Sequence, residues 1–567
     1  MIAMARIEAA AELVALLADE GVQHLFINPG TDTAPVQEAL SAARSAGAPH
    51  PRAVLCIHEH VALSAAIGHH FASGRPQAVM VHVDAGTLNL GGSIHNAQRN
   101  RVPVVVFAGR APYTTAADVR GHRDSAIHWQ QEQLDQAGVL RPFGKWHMEV
   151  PRGRELAPIV RRALQVVQSD PRGPAYVMLP REALMEPGAG ELPARLRAPV
   201  PAGPNPAALR ELAAILADAR QPVIVAGRSG AHLPSVAALV RIAELLGAPV
   251  VDQRDRVNFP AEHPLWAMGG GDGTLRRADA VLLLDVEVPW VPAVAAPPGD
   301  ARILQIDVDC AKVTMPLWSF PVELALTADT RAALPELEEA LCALATPARR
   351  RAWEERRREV EAELVDARVG WGRRAASHEP ADAADAALAA LDRSLPDDAI
   401  VIEEAVTNRP AVQRQVRRPP GRYFGHGSPA LGFAMGGALG VKLARPEAPV
   451  VAVCGDGAFN FGVPTAAFFS AHRTGAPFMA VILNNRSYHA SKRPVLNLYP
   501  DGAAAAAQDF PETELTPEFD YALLARACGG DGRAVETPGD VEEAVRWALG
   551  VAAGGQCAVV DVRLPPP

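Results

Sequence analysis

The chain has 567 residues, 49% of them hydrophobic and 21% charged, with a formal net charge of −9. That length suits three domains of ordinary size, and that balance excludes a disordered chain. The negative charge argues against a nucleic-acid partner, and no apolar run approaches the ~20 residues of a membrane span.

The N-terminal stretch carries Glu8, Glu12, Asp19 and Glu20, which predicts an amphipathic acidic helix and not a signal peptide. Residues 5–180 then alternate strand and helix patterns. His24–Ile27 predicts a strand ending at Asn28-Pro29-Gly30-Thr31, with a helix from about Ala34. Val54–Ile57 predicts another, followed by His58-Glu59-His60 and a helix through His70. Gln77–Val83, Pro103–Ala108 and Ala175–Leu179 complete the unit. Residues 187–206, rich in Pro and Gly, predict an exposed linker.

A second unit over 207–343 has strands at Pro222–Ala226, Ala280–Asp285 and Arg302–Asp307. Residues 344–380 predict a charged helix and a polar stretch, acting together as a second linker. There Arg349–Arg351 and Arg356–Arg358 alternate with Glu354, Glu355, Glu359 and Glu361, the pattern of a solvated face. The third unit has strands at Ala399–Glu403, Val450–Cys454, Met479–Leu483 and Ala558–Val562. The alternation implies an α/β fold of three doubly wound parallel-sheet domains, at 1–186, 207–343 and 381–567. The six cysteines (Cys56, Cys310, Cys342, Cys454, Cys528, Cys557) include no CxxC pair. They argue against a zinc or disulfide framework and point to a reducing cytoplasm.

Residues 449–488 carry the densest chemistry. One apolar run, Val450–Cys454, ends in Gly455-Asp456-Gly457, and a second, Phe478–Leu483, ends in Asn484-Asn485. Two parallel strand ends would then offer a carboxylate and a carboxamide at the carboxyl edge of a sheet, where ligands of open α/β folds bind. Both are hard oxygen donors for Mg²⁺ or Ca²⁺. Alone, a glycine turn and an Asn-Asn turn are each common. A second Gly-Asp-Gly at 271–273 follows no apolar strand and predicts only a loop.

The strand–GDG–crossover–NN order resembles the thiamine diphosphate (ThDP) motif of the acetolactate synthase and benzoylformate decarboxylase family. The 29 residues from Asp456 to Asn485 exceed the family's usual spacing slightly, which an insertion in the crossover would absorb. The resemblance implies that Asp456 and Asn485 bind Mg²⁺ through side chains and Ser487 through its backbone oxygen. Gly455, Gly457 and Ala458 would meet the cofactor beside them.

The stretch AVLCIHEHVALSAAIGHHFASGRPQAVMVHVDAGTLN keeps the family's order of strand, Glu, helix, GRP, strand and AGTxN. By that matching Glu59 is the catalytic glutamate on the cofactor's pyrimidine. An acid at a helix N-terminus is otherwise unremarkable. The segment GHGSPALGFAMGGALGV at 425–441 matches the part that grips the pyrimidine. There Leu431 would wedge the two rings into a bent form, and backbone groups of Pro429 and Leu431 would bind; small residues for close helix packing are the plain alternative. Thr407 and Asn408 in EEAVTNR occupy the place of the diphosphate loop.

His82 matches an active-site histidine of benzoylformate decarboxylase, and Thr31 a serine that contacts substrate carboxylate there. His489, Lys492 and Arg493 would either hold an anionic substrate or form a solvated basic loop. His58, His60, His69 and His70 are expected to pack or to face water. The middle-domain stretch LLDVEVPWVP lacks the arginine that acetolactate synthases use toward FAD, so FAD is not expected. The expected enzyme is a ThDP- and Mg²⁺-dependent decarboxylase of a 2-oxo acid, acting on an anionic carbonyl compound. A carboligase of the acetolactate synthase type and a non-catalytic ThDP- or nucleotide-binding protein are the alternatives. The resemblance further implies a homodimer or homotetramer with active sites at subunit interfaces.

Overall fold

The short apolar runs become central strands because each is bounded by turn residues and buried on both faces, the mark of parallel sheets. The computed structural model describes residues 8–253, 255–268, 273–425, 427 and 430–565. Gly271 and Asp272 of the second Gly-Asp-Gly, and Pro429, lie outside them.

The first sheet contains β1 (His24–Ile27), β2 (Arg52–Leu55), β3 (Gln77–Val81), β4 (Val104–Arg110), β5 (Trp146–Glu149) and β6 (Ala175–Pro180), in the order β2-β1-β3-β4-β6-β5. The second contains β7 (Pro222–Ala226), β8 (Val250–Asp252), β9 (Trp266–Ala267), β10 (Ala280–Leu284), β11 (Arg302–Asp307) and β12 (Leu324–Thr327), ordered β12-β11-β10-β7-β8-β9. The third contains β13 (Ile400–Glu404), β14 (Tyr423–Gly425), β15 (Val450–Gly455), β16 (Met479–Asn484), β17 (Asp531–Val535) and β18 (Ala558–Arg563), ordered β14-β13-β15-β16-β18-β17. The described strand registers are all parallel, for example Val451 opposite Met479 and Leu25 opposite Ala78.

Six strands carry no sequence signal strong enough to predict: β5, β8, β9, β12, β14 and β17. Most are short or lie at sheet edges, so they need no continuous apolar run. In β5, His147, Met148 and Glu149 are exposed. The strand expected at Val54–Ile57 instead covers Arg52–Leu55, and Ile57 is exposed beyond its end.

Two readings of residues 344–380 need correction. The helix Pro347–Ala375 does not hang between domains: Trp353 and Leu364 are buried in the hydrophobic packing of the middle domain. Nor is its arginine-rich face wholly solvated. The Arg356 guanidinium donates to the carbonyls of Leu246 (2.8 Å) and Ala219 (2.7 Å), at the C-terminal ends of two neighbouring helices. A cation suits helix C-termini, where carbonyls lack partners. Burial there pulls the group down to about 10. No helix of the described residues is long and apolar enough to cross a membrane.

Candidate active site

Glu59 is the first residue of the helix Glu59–Ser73, just beyond β2, and is buried. Its carboxylate is held from both sides. Oε1 accepts from the Asn28 side chain at the end of β1, and Oε2 from Asn89, each at 2.9 Å. Asn89 is the asparagine of the AGTxN stretch, so that motif acts by orienting Glu59. Each carboxylate oxygen keeps a second lone pair for a ligand.

His82 closes β3 and stands in a small pocket with Thr31, Asp32, Arg110, His128, Gln131 and Arg181. Its Nδ1 lies 2.5 Å from Asp32 Oδ1 and its Nε2 2.8 Å from Gln131 Oε1. The Asp32 hydrogen bond raises the imidazole above its ordinary value, against the opposing effect of burial. Thr31 is exposed at the rim.

The Leu431 segment is gripped by the N-terminal domain. Asn96 donates to the Ala430 carbonyl (2.9 Å) and accepts from the Ala430 amide (3.1 Å). His60 Nε2 lies 2.9 Å from the Gly432 carbonyl, to which it donates, and burial lowers the basicity of the ring. Gly432 has φ +101°, and a Cβ there would lie 2.5 Å from the Phe461 carbonyl. The helix Phe433–Ala444 then runs against Glu59–Ser73 with almost no gap. A Cβ at Gly440 would sit 1.9 Å from the Ala65 carbonyl oxygen. The run of small residues is therefore needed for packing as well as lying beside the site. Both domains of this pairing belong to the same chain.

Asp456 begins the helix Asp456–Phe461 directly after β15. It is buried; Oδ1 accepts from the Gly457 amide at 2.8 Å, while Oδ2 has no hydrogen-bond partner. Burial raises its carboxyl above the usual range, and the amides of Gly457, Arg486 and Ser487 offset this only in part. The Asn-Asn pair after β16 divides its tasks. Asn484 ties the strand end to Asp561 in β18 (3.0 Å), while Asn485 Oδ1 accepts from the Ser487 amide (3.1 Å). Arg486 adopts φ +56° between them, and the Ser487 hydroxyl donates to the Thr513 carbonyl (3.1 Å).

A Cβ on Gly457 would lie 2.7 Å from the Tyr488 ring, whereas one on Gly455 would meet nothing within 4 Å. The motif thus has one packed side and one open side, with the buried Ala458 following. Among the described residues no cluster of three His, Cys, Asp or Glu could hold a metal. The donors at 456–487 are a different set: one carboxylate, one carboxamide and a backbone carbonyl. An uncompensated buried carboxylate oxygen among hard oxygen donors fits Mg²⁺, which completes its shell with water and phosphate oxygens.

Thr407 and Asn408 are half-buried before the short helix Arg409–Gln415, and the Asn408 side chain makes no cap bond to it. Arg409 beside them pairs with Asp255 (3.1 Å) and Glu403 (3.6 Å). His489 opens a helix, 489–498, that buries none of its residues. Its Nδ1 is buried without a partner, and burial, then the charges of Lys492 and Arg493, lower its basicity. The Lys492 ammonium lies 4.6 Å from the Phe510 ring. In the middle domain a cavity of about 350 Å³ lies near the ends of β8 and β9. Among the described residues lining it, Gln253, Met268 and Trp290 included, none is basic.

Sequence reasoning missed Asn28, Asp32, Asn89, Asn96 and Gln131. Asn28 and Asn89 stood inside stretches already singled out. Asp32 was one residue from Thr31, and a buried acid in a turn has no periodicity to reveal it. Asn96 and Gln131 were invisible because their partners are distant in the chain.

Comparison with known proteins assigns all three domains. Residues 7–139 match the thiamine pyrophosphate enzyme N-terminal TPP binding domain, 209–337 the central domain, and 407–562 the C-terminal TPP binding domain. A benzoylformate decarboxylase of Pseudomonas aeruginosa is 27% identical over 553 residues, covering 94% of this chain and 95% of that protein. A sulfoacetaldehyde acetyltransferase of Rhodobacter capsulatus is 27% identical over 546 residues, covering 90% and 87%. Among solved structures, a Rhodococcus jostii thiamine diphosphate-dependent 4-hydroxybenzoylformate decarboxylase superposes with a TM-score of 0.78 at 23% identity, covering 98% of this chain and 99% of that one. At that identity the superposition speaks for the fold alone.

Proposed function

The chain belongs to the thiamine diphosphate-dependent enzymes, and within that family we propose that it decarboxylates a 2-oxo acid without oxidation. The observation that carries this reading is His82, held between Asp32 and Gln131 in the same domain as the amide-clamped Glu59. A charged imidazole is a fitting partner for the carboxylate and carbonyl oxygens of such a substrate. The similarity to benzoylformate decarboxylase over nearly the whole chain supports it.

Bound thiamine diphosphate would supply the nucleophilic carbon and the electron sink for the carbon–carbon bond that breaks. Asp456, Asn485 and the Ser487 carbonyl would hold Mg²⁺. Amides at Gly455, Gly457 and Ala458, with Thr407 and Asn408, would receive the diphosphate. Glu59 would meet the pyrimidine and set its protonation, which its two asparagine donors orient it to do. Leu431, fixed at both flanks by Asn96 and His60, would support the bent cofactor. Thr31, His82 and His489 would face the substrate.

A second reading, transfer of the acyl unit to an acceptor, draws support from the similarity to an acetyltransferase. Incubation with ThDP, Mg²⁺ and either pyruvate or an aryl 2-oxo acid separates the two. Free aldehyde and CO₂ are expected; acetolactate or acetoin as the main product would favour ligation. A non-catalytic role would require that Glu59→Gln leave every tested turnover unchanged.

A further inference from the structure

Asp32 and His82 form a built pair. Asp32 is buried; its Oδ1 meets His82 Nδ1 at 2.5 Å, and its Oδ2 accepts from the Val83 amide at 3.2 Å. Two glycines make the space. A Cβ on Gly30 would lie 2.1 Å from His82 Nδ1, and one on Gly109 of β4 would lie 1.6 Å from Asp32 Oδ2. The second ring nitrogen faces Gln131 Oε1 at 2.8 Å. Both neighbours are acceptors, so the ring state that satisfies both is the imidazolium, donating twice.

Gln131 reaches His82 from a strap laid over the pocket. Arg123 pins the strap to Glu132 (2.7 Å), Gln133 donates to Asp84 (3.2 Å), and Gln136 donates to the Gly109 carbonyl (2.8 Å). The other charged or titratable groups facing His82 are Asp84, His128, Arg110 and Arg181. Arg181 is committed to backbone carbonyls of Gly121 and His122, and Arg110 to that of Gln133 and to Glu149. Among the described residues lining the pocket, His82 is the cation that faces a neutral side-chain amide. The amide oxygen of Gln131 occupies the acceptor position on His82 Nε2.

We propose that Asp32 is a positioning residue that holds His82 as an imidazolium with Nε2–H aimed at the Gln131 oxygen, whose place a substrate carboxylate or carbonyl oxygen takes. This rests on the 2-oxo acid reading of the site, so the test needs one readout that does not pass through turnover. Diethyl pyrocarbonate modifies imidazole only in its neutral form, and peptide mass spectrometry can follow His82 alone.

In the holoenzyme, the pH at which His82 becomes reactive should lie above the ordinary histidine range. A group raised in this way keeps its charge below its ordinary value and loses it as pH rises through the raised one. The alkaline fall of kcat/KM for the 2-oxo acid should follow the same inflection. In Asp32→Asn, an isosteric change, both should move down by about one unit or more, roughly a tenfold loss of kcat/KM at pH 7.5–8. Asp32→Glu should recover part of the shift, because it keeps the charge. An unchanged modification profile in Asp32→Asn overturns the proposal. A profile that moves while the kcat/KM profile does not overturns the substrate-facing role of His82 and leaves the ion pair standing.

Discussion

The first and third sheets have the same strand order, 2-1-3-4-6-5 in their own numbering, yet they carry opposite chemistry. Glu59 follows the second strand of its sheet, and the Leu431 segment follows the second strand of the other. The helices beyond, Glu59–Ser73 and Phe433–Ala444, are topological equivalents, and they pack against each other through small residues. His82 follows the third strand of one sheet and Asp456 the third strand of the other. One copy of the scaffold presents a carboxylate and an imidazole. The other presents hard oxygens around a buried carboxylate with one unpartnered oxygen. The scaffold sets which strand ends face a ligand, and residue choice at those ends sets the chemistry. The middle domain, ordered 6-5-4-1-2-3, departs from this pairing.

If the two halves divide the work in this way, damage to each should have a different signature. Glu59→Gln keeps the shape but removes the carboxylate, and its amide oxygen can accept from only one of the two asparagines unless the other amide turns over. Turnover should fall roughly 10²–10⁴-fold, the scale of a lost acid–base group, while ThDP binding measured calorimetrically changes little. Asp456→Asn should do the reverse first. Mg²⁺-dependent retention of ThDP should weaken by about 10–100-fold or more, with turnover recovering at high Mg²⁺ and ThDP. Equal loss of cofactor affinity in both variants would undo the division.

The same two variants test how the halves are shared between chains. The chains of a homodimer are identical, so exchanging the Glu59 domain between them would preserve every contact named above with the same residues. In the shared-site dimer that the family resemblance implies, mixing chains carrying Glu59→Gln with chains carrying Asp456→Asn recreates intact sites. Random reassociation should then restore about a quarter of wild-type activity. Assayed at limiting Mg²⁺ and ThDP, where each variant alone is nearly inactive, sites closed within single chains would gain nothing from mixing.

What the sequence made legible follows from range. The strand-end residues Glu59, Asp456 and Asn485 announce themselves, since an apolar run stopping at a turn is a local signal. Central strands were legible for the same reason, and β5 and β9 were not, being exposed or two residues long. The linker reading of 344–380 failed because a charged helix hides its two packing residues, Trp353 and Leu364, among arginines and glutamates. Arg356 looked solvated because the carbonyls it caps are more than a hundred residues away. The asparagines that orient Glu59 and Ala430 are likewise tertiary facts.

Packing between the equivalent helices should be the next most sensitive point. Gly440→Val places a side chain against the Ala65 carbonyl, which backbone cannot easily vacate. Overpacking of this kind costs about 1–3 kcal/mol, and the melting temperature should fall accordingly. The loss should appear in both halves at once, since each helix carries its own strand-end site.

The mildest change is Asn96→Ala. Asn96 makes two hydrogen bonds to Ala430, one as donor and one as acceptor, and both are to backbone. Losing them frees the residue just before Leu431 without touching Glu59, His82 or Asp456. Each bond is worth about 0.5–1.5 kcal/mol net, so ThDP affinity should weaken by roughly 5- to 150-fold if the segment must be ordered to receive the cofactor. His60 still holds the other flank at Gly432, which places the expectation toward the lower end. The discriminating measurement is kcat at saturating ThDP. A grip that only pre-orders the segment leaves kcat near wild type, because bound cofactor restores the order. A fall in kcat at saturation would mean that Asn96 also holds Leu431 in its reacting position.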